Sequence, residues 1–475
     1  MLQQPTDIEI ENRLRGENPW WLAGAGIDPE QDAMPRRDYL PALLALIQLD
    51  EPQQAVLLMG QRRVGKTTLV FHAIHALLQE GVAGRDILYL PLATPSLTGS
   101  SLDALVRRFG KMFERPAGTR IYIFLDEIQY QQGWESQLKT LADSHRHCRF
   151  VAVASAAAAL KQKNAESAAG QFSAFFLPPL TFCEFLHFVD KEASLFLEEG
   201  DGSGPRRFVA TDINALNEAF VDYLNYGGYP EAVFQGALRM NPRRFVRSDI
   251  IDQVLLRDLP SLYGIADVQE LNALFNTLAY NTAQELSIEE LSKSSGVSKP
   301  TVVKYLEYLE AAFLIKRLRR VDQNSQQFVR AMTFKVYLTN PTMRAALFTP
   351  LADNDPAFEQ LVETALFSQW LHNTARIDSL CYARGKRAEM DLVSLDARQQ
   401  PRFAVAVRWS DQVFEDAKEI KSVIEFARAN AMGRRPLVTT RSQTGVKTMQ
   451  GVEIEFTPAS LLCYTVSKNM LEYSR

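Results

Sequence analysis

Cysteine is scarce in this chain. Among 475 residues only Cys148, Cys183, Cys381 and Cys463 carry a thiol, far apart in the chain and with no C-x-x-C pair. That pattern excludes a zinc site or a disulfide framework and points to reduced thiols in a cytoplasmic protein. Long apolar runs are missing too. The longest, "FVAVASAAAAL" at 150–160, is far short of the roughly 20 residues that cross a bilayer. The polar, acidic opening "MLQQPTDIEIENRLRGENPWW" does not read as a secretion signal, so no membrane association is expected. Nor is there a large excess of one charge. A net charge of −4 and a pI near 6.0 provide no whole-chain basic field, so any contact with nucleic acid must come from a local patch. What remains is ordinary for soluble globular chains, with 46% hydrophobic and 23% charged residues. At about 100–200 residues per domain, the length implies two to four domains.

The most informative stretch is "AVLLMGQRRVGKTTLVFHAIHALLQEG". A short apolar run at 55–59 predicts a buried parallel strand. Gly60, Gly65, Lys66 and Thr67 then fit G-x-x-x-x-G-K-[ST]. Glycines let the backbone turn so that several N–H groups face phosphate oxygens. The loop residues Gly60, Gln61, Arg62, Arg63, Val64 and Gly65, with Lys66, Thr67 and Thr68, are therefore the expected nucleotide contacts. Lys66 is expected to reach the β- and γ-phosphates, and Thr67 to offer its hydroxyl to Mg²⁺. Helical spacing over 68–78 directs a helix N-terminus at the same anion.

A second element fits the first. "RIYIFLDEIQY" is an apolar strand tipped by Asp126 and Glu127. An acid at such a strand end holds the Mg²⁺ water shell, the role expected of Asp126, and Glu127 is placed to polarise an attacking water. Two adjacent carboxylates at a buried strand end are costly unless paired or near a metal. A third strand, in "RFVAVASAAAAL", ends at Ser155, either a sensor of the γ-phosphate or simply the end of a buried strand. Strands at 87–90, 121–125 and 150–154 alternating with helical patterns predict a parallel sheet with crossover helices. No N-K-x-D guanine-reading motif occurs, which favours ATP over GTP.

Further along, "LSIEELSKSSGVSKPTVVKYLEYLEAAFLIKRLRRV" at 286–321 reads as helix-turn-helix. Gly296 suits a left-handed turn, Ser298 a helix cap, and Pro300 a first turn. Lys299, Thr301 and Lys304 sit where a recognition helix meets a groove, and Lys316, Arg317, Arg319 and Arg320 follow, before a polar "DQNSQQ" that suits a wing tip. A protein-docking role for this module stays open beside DNA contact.

With these residues in view, the chain resembles prokaryotic ATPases that join an AAA-type P-loop domain to a winged helix and a C-terminal nuclease-like domain. "GQRRVGKTT", "FLDEIQ", "LPPLTFCEFL", "YLNYGGYPEAV" and "LLRDL" carry the resemblance. It implies an α/β protein divided into an N-terminal segment (1–34), a P-loop ATPase core (35–190), a linker and helical lid (191–265), a winged helix (266–348) and a PD-(D/E)XK nuclease-like domain (349–475). It further implies that Gly228 and Pro230, in "GGYP", pack against the adenine base. One departure stands out: Gln171 follows Gly170 where relatives usually carry arginine, which puts fast turnover in doubt.

In the nuclease-like segment, strand-like runs at 380–382, 390–395 and 402–409 precede a helix expected over 412–430. The resemblance assigns Asp391 as the first acid and Glu359, or else Glu363, as the helix acid. It leaves Ala406-Val407-Arg408 where an acid-x-lysine belongs, with Glu389 as a conceivable substitute. Alanine supplies no oxygen and arginine cannot act as a base. The expected function is an ATP- and Mg²⁺-dependent ATPase with Lys66, Asp126 and Glu127 as its catalytic residues. It would engage DNA through the winged helix, or a protein partner or a second copy of itself. The alternatives are a nucleotide-gated binding module with negligible turnover and an ATP-regulated nuclease.

Overall fold

Five short runs of branched and aromatic residues form the first layer: β1 (Ala55–Gly60), β2 (Ile87–Pro91), β3 (Ile121–Asp126), β4 (Cys148–Ser155) and β5 (Phe172–Phe176). They pair in the order β2-β3-β4-β1-β5, every pair parallel. Crossover helices at Lys66–Gln79, Leu102–Met112 and Trp134–Ser144 make that direction possible and cover the faces, which is why β1 to β4 are buried almost throughout. This computed structural model describes residues 6–49, 54–116, 118–155, 172–199, 206–234, 243–325, 333–385, 389–430 and 432–472. The chain divides into two compact units, Met1–Leu177 and Pro178–Ser474. The three strands expected at 87–90, 121–125 and 150–154 are β2, β3 and β4.

The N-terminal residues belong to the first unit. A capping box between Thr6 and Glu9 starts the helix Asp7–Glu17, whose Ile10 and Leu14 enter the same core as β1 to β4. Asn18 then covers the open edge of the sheet. Its amide oxygen accepts from Tyr89 N at 2.7 Å, and its amide nitrogen donates to Tyr89 O at 3.0 Å. Trp20 and Trp21 both donate their indole N–H to Ile87 O. The edge strand β2 is thereby satisfied by side chains instead of another strand.

The second unit holds an antiparallel hairpin, β6 (Phe196–Glu199) and β7 (Arg207–Ala210). Phe196 and Phe208 of the hairpin pack on Tyr464 of the helix Ala459–Glu472 at ring separations of 3.6 and 4.9 Å. Its main sheet contains β8 (Glu285–Ser287), β9 (Ile315–Val321), β10 (Thr333–Leu338), β11 (Leu380–Arg384), β12 (Glu389–Leu395), β13 (Pro401–Ala406), β14 (Leu437–Thr440), β15 (Gly445–Met449) and β16 (Val452–Pro458). The order is β15-β16-β14-β13-β12-β11-β9-β10-β8. β9 and β11 pair in parallel, with Arg319 opposite Cys381, so strands from 266–348 and from 349–475 share one sheet.

Helix Ile288–Ser295 opens on a capping box between Ser287 and Glu290 and stops at Gly296, whose φ of +74° is the left-handed turn expected there. Ser298 precedes the helix Lys299–Ala311 without capping its main chain; its hydroxyl pairs with that of Thr301 at 2.8 Å. The single helix expected over 412–430 is instead two, Gln412–Glu415 and Lys421–Ala429. Asp416 breaks it: its side chain accepts from Lys418 N at 2.8 Å and holds a turn between the two pieces. No helix among the described residues is long and apolar enough to cross a membrane.

Candidate functional site

The loop from Gly60 to Thr67 joins β1 to the helix Lys66–Gln79. Packing alone requires glycine at position 60, because a Cβ there would lie 2.3 Å from the carbonyl oxygen of Leu177. Arg63 (φ +65°) and Gly65 (φ +89°) both adopt left-handed conformations, which curl the loop and point successive N–H groups inward. Val64 is fully buried, and Arg37 Nη1 donates to its carbonyl oxygen at 2.7 Å. Lys66 is also buried; its Nζ donates to Gln61 O at 2.8 Å and Gly60 O at 3.2 Å. Gln61, Arg62 and Arg63 lie on the same turn, and Thr68 in the first turn of the helix.

Asp126 meets this loop through Thr67, whose Oγ1 donates to Asp126 Oδ2 at 2.8 Å. The other carboxylate oxygen accepts from Glu127 N at 2.9 Å. Tyr89, on the neighbouring strand β2, donates its hydroxyl to Asp126 Oδ2 at 2.9 Å. Burial, and then the charge of Asp126, push the Tyr89 phenol far above its usual range, so it remains a donor. Two hard oxygens, Thr67 Oγ1 and a carboxylate, therefore converge beside a nest of N–H groups, which suits Mg²⁺ carried by a polyphosphate. Tyr89→Phe is expected to leave the fold intact and lower Mg²⁺-dependent turnover about tenfold, the size of one hydrogen bond to a charged group. Steady-state phosphate release checks this.

Glu127 follows the strand with φ +53°, a left-handed turn that swings the chain into the short helical turn Ile128–Tyr130. Ile128 is fully buried and anchors that turn in the core. Gln129 Nε2 donates to Glu127 Oε2, and Gln129 Oε1 accepts from Ser155 N at 3.4 Å. Ser155 lies directly across from Gly60 in the β1–β4 register. The structure thus brings together Gly60 to Thr68, Asp126, Glu127 and Ser155. It adds Arg37, Tyr89 and Gln129, which sequence reasoning missed.

Gly228 and Pro230 belong to the second unit. Gly228 N donates to Thr342 Oγ1 at 3.1 Å, and its carbonyl accepts from Leu180 N at 2.9 Å. A Cβ at Gly228 would strike the Asn340 side chain at 2.1 Å. Tyr229 is wholly buried, and Pro230 opens the short helix Pro230–Phe234. Gln171 lies outside the described residues, as does the distal part of the expected wing tip from 326 onward.

The acids expected of a nuclease centre are held by internal cations. Lys335 and Tyr337 alternate on β10, so both face the helix Phe358–Gln369. Lys335 Nζ lies 2.8 Å from Glu363 Oε1 and 2.8 Å from Asp391 Oδ1, and Tyr337 donates to Glu363 Oε1 at 2.5 Å. Asp391 Oδ2 accepts from Val407 N at 2.8 Å and Arg408 Nη1 at 3.2 Å. Glu359, one turn before Glu363, accepts from Trp409 N at 3.0 Å and lies 3.9 Å from Arg408. Burial disfavours the Asp391 anion, yet Lys335 and Arg408 outweigh it and hold this carboxyl below its usual range. Burial, with the Asp391 charge beside it, pushes Glu363 up to about 7. Among the described residues, no group of three or more His, Cys, Asp or Glu side chains is placed to hold a metal ion.

Because folded Glu363 binds its proton more tightly than the unfolded chain, its contribution to stability falls as pH rises from the usual carboxylate range through about 7. Glu363→Gln should flatten that fall, as read from urea midpoints between pH 5 and pH 8.

The basic residues near the helix-turn-helix are mostly paired. Glu289 takes both Lys293 (3.0 Å) and Lys299 (3.7 Å), Glu310 takes Arg317 at 2.6 Å, and Glu285 takes Arg320 at 3.4 Å. Lys304 and Arg319 are exposed, as is the apolar Val303 that immediately precedes Lys304.

Residues 52–186 match the profile of a family described as an AAA domain, and residues 217–355 that of a domain of unknown function (DUF8612). An uncharacterized protein of Haemophilus influenzae is 26% identical over 322 residues, covering 66% of this chain and 73% of that protein. Two uncharacterized proteins of Methanocaldococcus jannaschii are 24% and 23% identical, over 56% and 57% of this chain and the same shares of theirs. Among solved structures, Cdc6p from Pyrobaculum aerophilum aligns at 12% identity over 70% of this chain and 96% of that one, with a TM-score of 0.28. The replication initiator DnaA bound to AMPPCP and single-stranded DNA aligns at 12% identity over 57% and 86%, with a TM-score of 0.29.

Proposed function

We propose that the AAA-type P-loop domain at 52–186 binds ATP with Mg²⁺ and hydrolyses it, and that the second unit uses the nucleotide state to engage DNA or a protein partner. The observation that carries this reading is the meeting of Thr67 and Asp126 at 2.8 Å beside a buried Lys66. A loop of inward N–H groups, a lysine and a helix N-terminus suit a triphosphate. Lys66 turns from the loop carbonyls to the β- and γ-phosphates. Thr67 and Asp126 would hold the Mg²⁺, which when bound neutralises phosphate charge. Glu127 orients the attacking water, and Ser155, across from Gly60, faces the γ-phosphate.

In the second unit, a helix, a short strand, two helices and a hairpin follow in the order of a winged helix. With its lysines largely paired and Val303 exposed, that module suits a protein partner, or a second copy of this chain, at least as well as DNA. After it, a helix, three antiparallel strands, a helix and the parallel strand β14 follow in the order of a nuclease-like core. Lys335 and Arg408 neutralise its acids, which supports a scaffold over a cutting centre.

The test is phosphate release with and without duplex DNA, for the wild type and Glu127→Gln. Hydrolysis lost in Glu127→Gln is the expected result, and no ATP binding at all would sink the reading. ATP binding without turnover would favour the nucleotide-gated module, to which Gln171 points.

A further inference from the structure

Gln129 is the last residue of "FLDEIQ", and neither phosphate binding nor metal binding accounts for it. Its amide faces two groups at once. One end donates to the Glu127 carboxylate, and the other accepts from the backbone N–H of Ser155. Only one orientation of the amide satisfies both, since a carboxylate needs a donor and an N–H an acceptor. The turn that carries Gln129 is itself fixed, because Ile128 is fully buried in the core of the sheet. Ser155 is the register partner of Gly60, the residue at which the phosphate loop leaves β1. A continuous line therefore runs from the Glu127 carboxylate through the Gln129 amide to the tip of β4, and from there to the start of the loop.

We infer that Gln129 is a positioning residue for hydrolysis: it fixes the Glu127 carboxylate relative to the end of β4 beside the phosphate loop. This rests on the proposed role of Glu127 in orienting water. A glutamate held only by its own rotamers has three side-chain torsions to lose before it can aim a water molecule, and Gln129 removes that freedom in advance. Its contact with Ser155 gives the carboxylate a reference point on the strand expected to face the γ-phosphate. Among the described residues, no other side chain hydrogen-bonds the Glu127 carboxylate.

The two ends of the amide can be separated by mutation. Gln129→Ala removes both contacts. Gln129→Glu keeps the length and the acceptor for Ser155 N, but sets a carboxylate against Glu127 where a donor stood. We expect both variants to bind ATP with the wild-type Kd, measured by calorimetry, and to lose kcat by about ten- to a hundredfold, the cost of a reacting group displaced by about 1 Å. Gln129→Glu should be the slower of the two.

Wild-type kcat in both Gln129 variants would overturn this inference alone. So would a rise in Kd matching the fall in kcat. A wild type that binds ATP but releases no phosphate would overturn the hydrolytic reading, and this role with it.

Discussion

Replacing Lys66 with alanine should all but remove ATP binding at about ten times the wild-type Kd. The ammonium is buried and already supplies donors to Gly60 O and Gln61 O, so it stands at the mouth of the loop with its hydration removed. Hydrogen bonds to charged groups contribute about 1.5–3 kcal/mol each. Losing two of them to phosphate raises Kd by roughly 10² to 10⁴. The fold should survive, because Lys66 lies at the start of a helix whose buried face is formed by Leu69, Val70, Ala73, Ile74 and Leu77. The measurement is the ATP-induced shift in unfolding temperature, which follows ligand binding to the native state. The wild type should shift and Lys66→Ala should not, with equal baselines in the absence of ATP. An equal shift in both would remove the phosphate loop from the nucleotide site.

The largest effect on stability is expected at Lys335. Lys335→Ala leaves Asp391 and Glu363 facing each other in a dry site with one cation gone. Breaking a buried pair from one side typically costs about 3–5 kcal/mol, because the remaining charge has no compensation. Burial works against the Lys335 ammonium, yet the two carboxylates outweigh it and hold its pKa above the usual lysine range, so it is charged throughout the neutral region. The companion variant Lys335→Met with Glu363→Gln removes a positive and a negative charge together. Asp391 then keeps Arg408 and Val407 N as partners, and much of the loss should be recovered. Urea unfolding followed through Trp370 and Trp409, both in the second unit, reads this out. If the single variant is as stable as the wild type, the cluster does not act as a unit.

These two lysines also mark what sequence could and could not disclose. Lys66 was legible because phosphate chemistry dictates its neighbours: glycines where the backbone must curl, a hydroxyl one residue on, a strand before and a helix after. Asp126 and Glu127 were legible because acids at the end of an apolar strand are expensive without a purpose. Four of the five strands of the parallel sheet, β1 to β4, were legible as short continuous apolar runs, whereas β5 (Phe172–Phe176) was not. Lys335 was not, since a lysine within "TFKVYL" reads as the solvent-facing member of an alternating strand. Its inward register depends on a helix and two strands that come later in the chain. Arg37, Tyr89 and Gln129 were missed for the same reason. Each acts through a partner brought close only by folding: Arg37 and Tyr89 belong to no quoted motif, and "FLDEIQ" assigns roles to Asp126 and Glu127 but none to Gln129. In the C-terminal segment the order of helix and strands was legible, but the closing of its acids by Lys335 was not.

The parallel pairing of β9 with β11 has a consequence for synthesis of the chain. Every strand of the first sheet has been made by Phe176, whereas β9 must wait for a partner that begins at Leu380. From Arg319 to Cys381 is about 60 residues (381 − 319), or roughly 3–12 s at about 5–20 residues per second. During that interval β9 has β10 on one side and an open edge on the other once residue 338 has been made. Charged side chains, Lys above all, blunt such edges against pairing with the wrong chain. β9 reads "IKRLRRV". The same basic residues that suggest contact with phosphate would therefore keep a half-made sheet from adding a stranger's strand.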